Sequence, residues 1–209
     1  MLRILTGFLF FLWALAAAGT ALYTGAAFRF LDLDPLALHI ANGTISFADL
    51  PRFERSGLVF TEAEIHHFAD VRSAVSLMHG SLLALLVILI GLIVWRPQLR
   101  LAGTSIGLII FVAIAVALTG MYAFAGYEAT SDLLHLIYFD AGSYVFHGET
   151  LTARLYSQAD MVRGAGFVAA LTAFGLVMAW AMARIVLPAR WMGASRALDA
   201  SGKTKQLRQ

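Results

Sequence analysis

The chain has 209 residues, of which 60% are hydrophobic and only 13% charged, and its mean hydropathy is +0.77. Soluble domains run near half apolar and a quarter charged, so water is excluded as the solvent for most of this surface. A formal charge of +2 gives no reason to expect nucleic acid as a partner, and the absence of cysteine excludes disulfides, thiolate nucleophiles and Cys-based metal sites.

The apolar residues fall in long runs. Four are long enough to cross a hydrocarbon core, which takes about 20 helical residues: spans of about residues 4–28, 73–95, 101–127 and 164–187. The reading is an all-α membrane protein, a single membrane domain over 1–209 with four transmembrane helices. Arg3, the first run and Ala16-Ala17-Ala18 also imitate a secretory signal, but the run continues to Phe28, past the usual signal core. Between the second and third spans lies only Arg96-Pro-Gln-Leu-Arg100, so those helices must be antiparallel neighbours.

Nine Lys or Arg fall in the 34 residues of 1–3, 96–100 and 184–209, against six in the 80 residues of 29–72 and 128–163. That asymmetry places both termini in the cytoplasm and both long connections outside. The basic stretch 188–209 reads as a disordered tail near anionic lipid.

The connections 29–72 and 128–163 are too long for turns and too short for independent cores, which predicts a small mixed α/β extracytoplasmic cap. Asn42-Gly43 signals a hairpin, and with Thr44 it also matches a glycosylation acceptor. Thr61-Glu-Ala-Glu64 is a capping box that predicts a helix carrying His66, His67 and Asp70 into the second span. In the second connection Thr130 or Ser131 caps a short helix holding Leu133, Leu134, Ile137 and Tyr138, although the same residues suit a strand. Alternation from Tyr144 to Leu155 about His147-Gly148-Glu149-Thr150 suggests another hairpin.

Five of six histidines, His39, His66, His67, His135 and His147, lie in these outer segments, and His79 lies a little inside the second span. On a helix His67 and Asp70 share a face, so a carboxylate is placed to orient an imidazole as a general base; the alternative is a solvated or capping histidine. His66 and Asp70, four apart, suit a metal only if a third ligand arrives from His135 or His147. His79 suits haem, yet the spans hold no second histidine to pair with it. Aromatic residues crowd the same region, fitting either an interfacial belt or a pocket for a lipid headgroup, and Arg72 stands where it can snorkel or bind such a headgroup.

Two motifs carry a resemblance. Thr61-Glu-x-Glu64-Ile65-x-His67-Phe68-x-Asp70-Val71 is similar to the segment before the second span of the bacterial lipoprotein intramolecular transacylases, and Leu134-His135-Leu-Ile-Tyr138-Phe139-Asp140 resembles that family's second signature. The resemblance implies a multi-pass protein of the bacterial inner membrane. Its reaction would move the sn-2 acyl chain of a diacylated lipoprotein to the α-amino group of the lipoprotein's own N-terminal cysteine, giving the lyso form. It implies His67 and His135 as catalytic residues, Asp70 and Asp140 as supports, and Arg72, Phe68, Tyr138, Phe139 and Tyr144 against a substrate drawn from the membrane lipids, with no cofactor and no metal. Two other classes remain on the residues alone: a haem- or metal-binding electron carrier and a noncatalytic assembly or chaperone subunit. The transferase reading requires the imidazoles of His67 and His135 to converge.

Overall fold

A computed structural model of the chain describes residues 1–55, 57–137, 139 and 150–206, of which 186–206 are described by backbone alone. Helix α1 runs Leu2–Leu22, α2 Gly25–Leu31 and α3 Pro35–Ala41; a short 3-10 turn, Leu50–Arg52, precedes a two-strand ribbon of β1, Glu54–Arg55, and β2, Leu58–Val59. Helices α4, Glu62–Trp95, and α5, Leu99–Leu136, follow, then the short α6, Leu151–Leu155, and α7, Gln158–Gln206. Four of these, α1, α4, α5 and α7 (over Gln158–Ile185), are long and apolar enough to cross a membrane.

Helix α1 is the axis of the bundle: α4, α5 and α7 all pack on it, whereas α4 and α5, expected as neighbours from their short connection, barely touch because α1 takes up the packing face of each. Glycine sets the closest approach. A Cβ added at Gly7 would lie 2.5 Å from a side-chain carbon of Ile106, and one at Gly107 would lie 3.1 Å from the Gly7 carbonyl oxygen. Small residues at such crossings replace the hydrophobic drive that lipid removes. The buried hydroxyls of Thr6, Thr104 and Thr172 are satisfied within their own helices, each donating to the carbonyl four residues earlier at 2.7–2.9 Å. Gly7→Leu is expected to destabilise the protein by about 1–3 kcal/mol through overpacking, read as a lowered Tm in detergent. Gly91→Leu on α4, where an added Cβ meets nothing within 4 Å, is the control that should not lower it.

At one end of the bundle Arg96 lies over the Trp95 ring at 4.8 Å and Arg184 over Trp180 at 4.5 Å, pairs of the kind found at a membrane boundary. The cap covers the other end.

Several elements differ from the sequence reading. The first apolar run contains a bend: α1 ends at Leu22, Thr24 caps α2 by accepting from the Ala27 amide at 3.2 Å, and Ala27 and Phe28 are buried toward α3 rather than in a longer span. Composition cannot register a turn made of Tyr23 and Thr24. Asn42-Gly43 closes α3 instead of a hairpin, with Gly43 at φ +73°, because Asp34 and Pro35 start a helix that the turn then ends. The antiparallel ribbon lies farther on, pairing Glu54 with Val59 and Arg55 with Leu58. Leu151 to Leu155 form helix α6, capped by Thr150, not a strand; the rest of that expected hairpin falls at 144–149, outside the described residues. Helix α7 continues to Gln206, into the stretch expected as a disordered tail.

The capping box forms as the sequence predicts. The Thr61 hydroxyl accepts from the Glu64 amide at 3.3 Å while the Glu64 carboxylate accepts from the Thr61 amide at 2.8 Å, and the helix so started runs without a break into the second span. Residues Glu62 to Arg72 therefore stand above that span as part of the cap. Around them Leu36, Ile40, Leu50, Phe60, Phe68, Leu151 and Leu155 make a core to which both outer segments contribute.

Candidate active site

His67 lies one turn beyond the capping box and is 8% exposed. His135 sits in the last turn of α5. The two come together about one ring: the Phe139 centroid is 5.1 Å from that of His67 and 5.6 Å from that of His135. The imidazoles can therefore be no farther apart than the sum of those distances. Convergence follows from two helices that project beyond the membrane, α4 at its start and α5 at its end.

A kink aims the second of them. Gly126 interrupts α5 with φ +83° and ψ −179°, a conformation that an L side chain rarely adopts. Beyond it the Thr130 hydroxyl donates to the Gly126 carbonyl at 2.9 Å, and the helix resumes through Ser131 to His135. The Nδ1 of His135 lies 2.7 Å from the Ser131 carbonyl oxygen and 3.2 Å from the Ser131 hydroxyl. A carbonyl only accepts, so Nδ1 carries the hydrogen and the lone pair of neutral His135 is on Nε2.

Burial holds His67 below the ordinary imidazole value, proximity to His135 adds to the depression, and the Asp70 carboxylate opposes both. Asp70 acts through its charge, since no hydrogen bond joins it to His67 among the described residues. Asp70→Asn is expected to lower the His67 titration midpoint further, because it removes an influence that favours the cation. Imidazole chemical shifts of histidine-labelled protein measure this, and an unchanged or raised midpoint would remove Asp70 from the site.

The remaining sequence-predicted residues are placed unevenly. Phe68, expected against substrate, is 0% exposed and makes an edge-to-face contact with Phe60, so it belongs to the cap core. Arg72 donates to the Ile40 carbonyl at 2.9 and 3.2 Å and to that of Ile45 at 2.8 Å, and lies 3.7 Å over the Phe47 ring, which clamps the loop after α3. Tyr138, Asp140, Tyr144 and His147 lie outside the described residues. His66 and His39 are exposed, with His66 on a shallow groove beside Phe47 and Glu62. His79 follows His67 by twelve residues on the same helix, about 18 Å along its axis.

The sequence reading missed one residue of the site's frame. Glu64 is 0% exposed, and besides its capping bonds it accepts from the Thr152 amide at 2.8 Å, which fastens α4 to α6 across 88 residues. Burial alone would raise its carboxyl, but hydrogen bonds from Thr61 and Thr152 outweigh that and hold it below the usual value. The Glu at the third position of a capping box was the only signal, and it gave no hint of the second partner.

A cavity of about 230 Å³ opens beside His135, between α5 and α7, and its walls are mostly apolar. Four spans beneath a cap that brings two imidazoles and a greasy cavity to the lipid boundary define an integral membrane enzyme for an amphiphilic substrate. The chain belongs to the lipoprotein intramolecular transacylase Lit family, whose model matches residues 30–152 and so includes both histidine motifs. The fold is that of the family's solved structures. Lit from Bacillus cereus is similar over 91% of this chain and 97% of its own, at 16% identity and a TM-score of 0.64. A histidine-to-arginine variant of that enzyme is similar over 92% and 93%, at 17% identity and 0.61. No curated protein matches the chain. Family membership makes it an acyltransferase of lipoproteins, in place of the electron carrier or assembly subunit.

Proposed function

We propose that the chain moves the sn-2 acyl chain of a diacylated lipoprotein onto the α-amino group of that lipoprotein's N-terminal cysteine, using His135 as base and His67 as hydrogen-bond donor. The observation that carries this reading is the meeting of the two imidazoles about Phe139 at the capped end of the bundle. An α-ammonium with a pKa of about 8 gives one proton to solvent before it attacks, and Nε2 of His135 takes the second proton as the amine nitrogen bonds to the ester carbonyl carbon. The oxyanion that forms accepts a hydrogen bond from His67, which is neutral in this setting. When the tetrahedral carbon collapses, the carbon–oxygen bond to glycerol breaks and the departing oxygen takes the proton from the His135 imidazolium. Amide replaces ester with no water consumed. Holding amine and ester of one molecule in a folded approach supplies much of the acceleration, and a cap closed over the lipid boundary suits that role.

The same reading places both termini on the cytoplasmic face of a bacterial inner membrane and the cap outside, supported by the basic bias of the ends and by the Arg96 and Arg184 pairs with tryptophan opposite the cap. Mass spectrometry of a diacylated lipopeptide before and after incubation with the protein in detergent tests the reaction. The expected product has unchanged mass, an N-acyl fragment and a lyso-glyceryl fragment. A lipopeptide recovered with its amine free refutes the assignment.

A further inference from the structure

The chemistry above uses only the outer rim of the cavity between α5 and α7. Its depth is unassigned. Ser131, His135 and Phe139 lie at one end and Tyr122 at the other, while Val162 and Ala165 contribute the α7 wall. Tyr122 precedes the Gly126 kink and His135 follows it, so the cavity follows α5 from the imidazole back toward the span.

Three features bear on what it holds. The lining is mostly apolar away from the imidazole, so the cavity offers a hydrocarbon surface behind a polar mouth. It is walled by residues from both sides of the Gly126 kink, Tyr122 before it and Ser131 and His135 after it. Gly126 has nothing within 4 Å of an added Cβ, so its glycine serves the backbone bend that shapes this wall and not close packing. Finally, Tyr122 and Val162 are 44% and 45% exposed, so the cavity is open along its side, next to where α5 and α7 enter the spans.

We propose that this cavity seats the acyl chain in transit, with its ester carbonyl at His135, and that Val162 and Ala165 on α7 govern which chain lengths are accepted. The inference rests on the transferase reading and adds to it the location of the moving chain. An acyl group cannot leave hydrocarbon while its carbonyl is attacked at the interface, and a slot running inward from the base meets that demand. About 230 Å³ is too little for a whole palmitoyl chain, so the cavity takes the carboxyl-proximal part and the remainder leaves across the open edge at Val162 and Ala165, which a shorter chain need not cross.

The test uses the full-length protein in detergent with synthetic diacylated lipopeptides that carry palmitoyl at sn-1 and either octanoyl or palmitoyl at sn-2. Val162→Phe and Ala165→Phe are expected to lower kcat/KM for the palmitoyl substrate relative to the octanoyl one by at least about tenfold compared with the parent. Both positions face outward, and Tyr122→Ala, which enlarges the inner end, is expected to shift preference the other way. An unchanged ratio in all three variants would overturn the proposal while leaving the transferase reading intact. So would a preference that follows chain length at sn-1 in a reciprocal substrate set, since the cavity would then hold the stationary chain. Absence of transfer by the parent on every substrate would instead remove the reaction itself, and the proposal with it.

Discussion

His135→Ala is expected to slow acyl transfer by about two to four orders of magnitude, the range for losing a positioned general base. The expectation comes from tautomer geometry. With Nδ1 donating to the Ser131 carbonyl at 2.7 Å, it is Nε2 of His135 that the proposed mechanism uses for proton uptake. His67→Ala removes the proposed donor to the oxyanion and should cost about two to three orders of magnitude. The double variant should be little worse than His135→Ala alone, because residues that act in one step lose their effects together. Added imidazole should restore part of the His135→Ala rate and little of the His67→Ala rate, since a diffusing base can replace proton uptake more readily than a preorganised donor. The measurement is the rate of N-acyl product formation on a defined lipopeptide, with thermal unfolding to show that each variant is folded. Parent-like rates in both single variants would refute the assignment of the pair.

The spans were legible because lipid imposes a coarse rule, long apolar runs and a basic bias, which composition alone satisfies. The start of α4 was legible for a local reason: Thr61 and Glu64 are three residues apart and their reciprocal bonds need nothing from the rest of the chain. What failed was geometry set by partners distant in sequence. Nothing in Leu151 to Leu155 distinguishes a strand from a five-residue helix until Thr150 caps it and Leu151 and Leu155 enter the cap core. Phe68 and Arg72, implied by the resemblance as substrate contacts, are placed by long-range packing: Phe68 in the cap core and Arg72 on the carbonyls of Ile40 and Ile45. The Gly126 kink carries no local signal either. One glycine within an apolar span reads as helix, and only the position of His135 beyond it reveals what the bend accomplishes.

Glu64 shows how the cap keeps the two histidine-bearing segments in register, and Glu64→Ala is expected to lower stability by about 2–5 kcal/mol. The buried Thr152 amide would lose its acceptor, which costs about 1–3 kcal/mol, and the part-buried Thr61 amide would lose its side of the cap, worth about 0.5–2 kcal/mol. Glu64→Gln keeps one carbonyl oxygen for one of the two amides and should fall between. The pH dependence separates this from a packing effect. Because the folded carboxyl is held below its ordinary value of 4.5, the unfolded chain binds the proton more readily, so the contribution is complete above pH 4.5 and is lost as pH falls through the folded value. Thermal unfolding in detergent should therefore show an acid-side loss of stability in the parent that Glu64→Gln largely abolishes. Hydrogen exchange at the Thr152 amide should rise in the same variant ahead of exchange in the spans, since only the tie between α4 and α6 has been cut. If Glu64→Gln retained both the parent's acid sensitivity and its slow exchange at Thr152, the carboxylate would not be what fastens the cap.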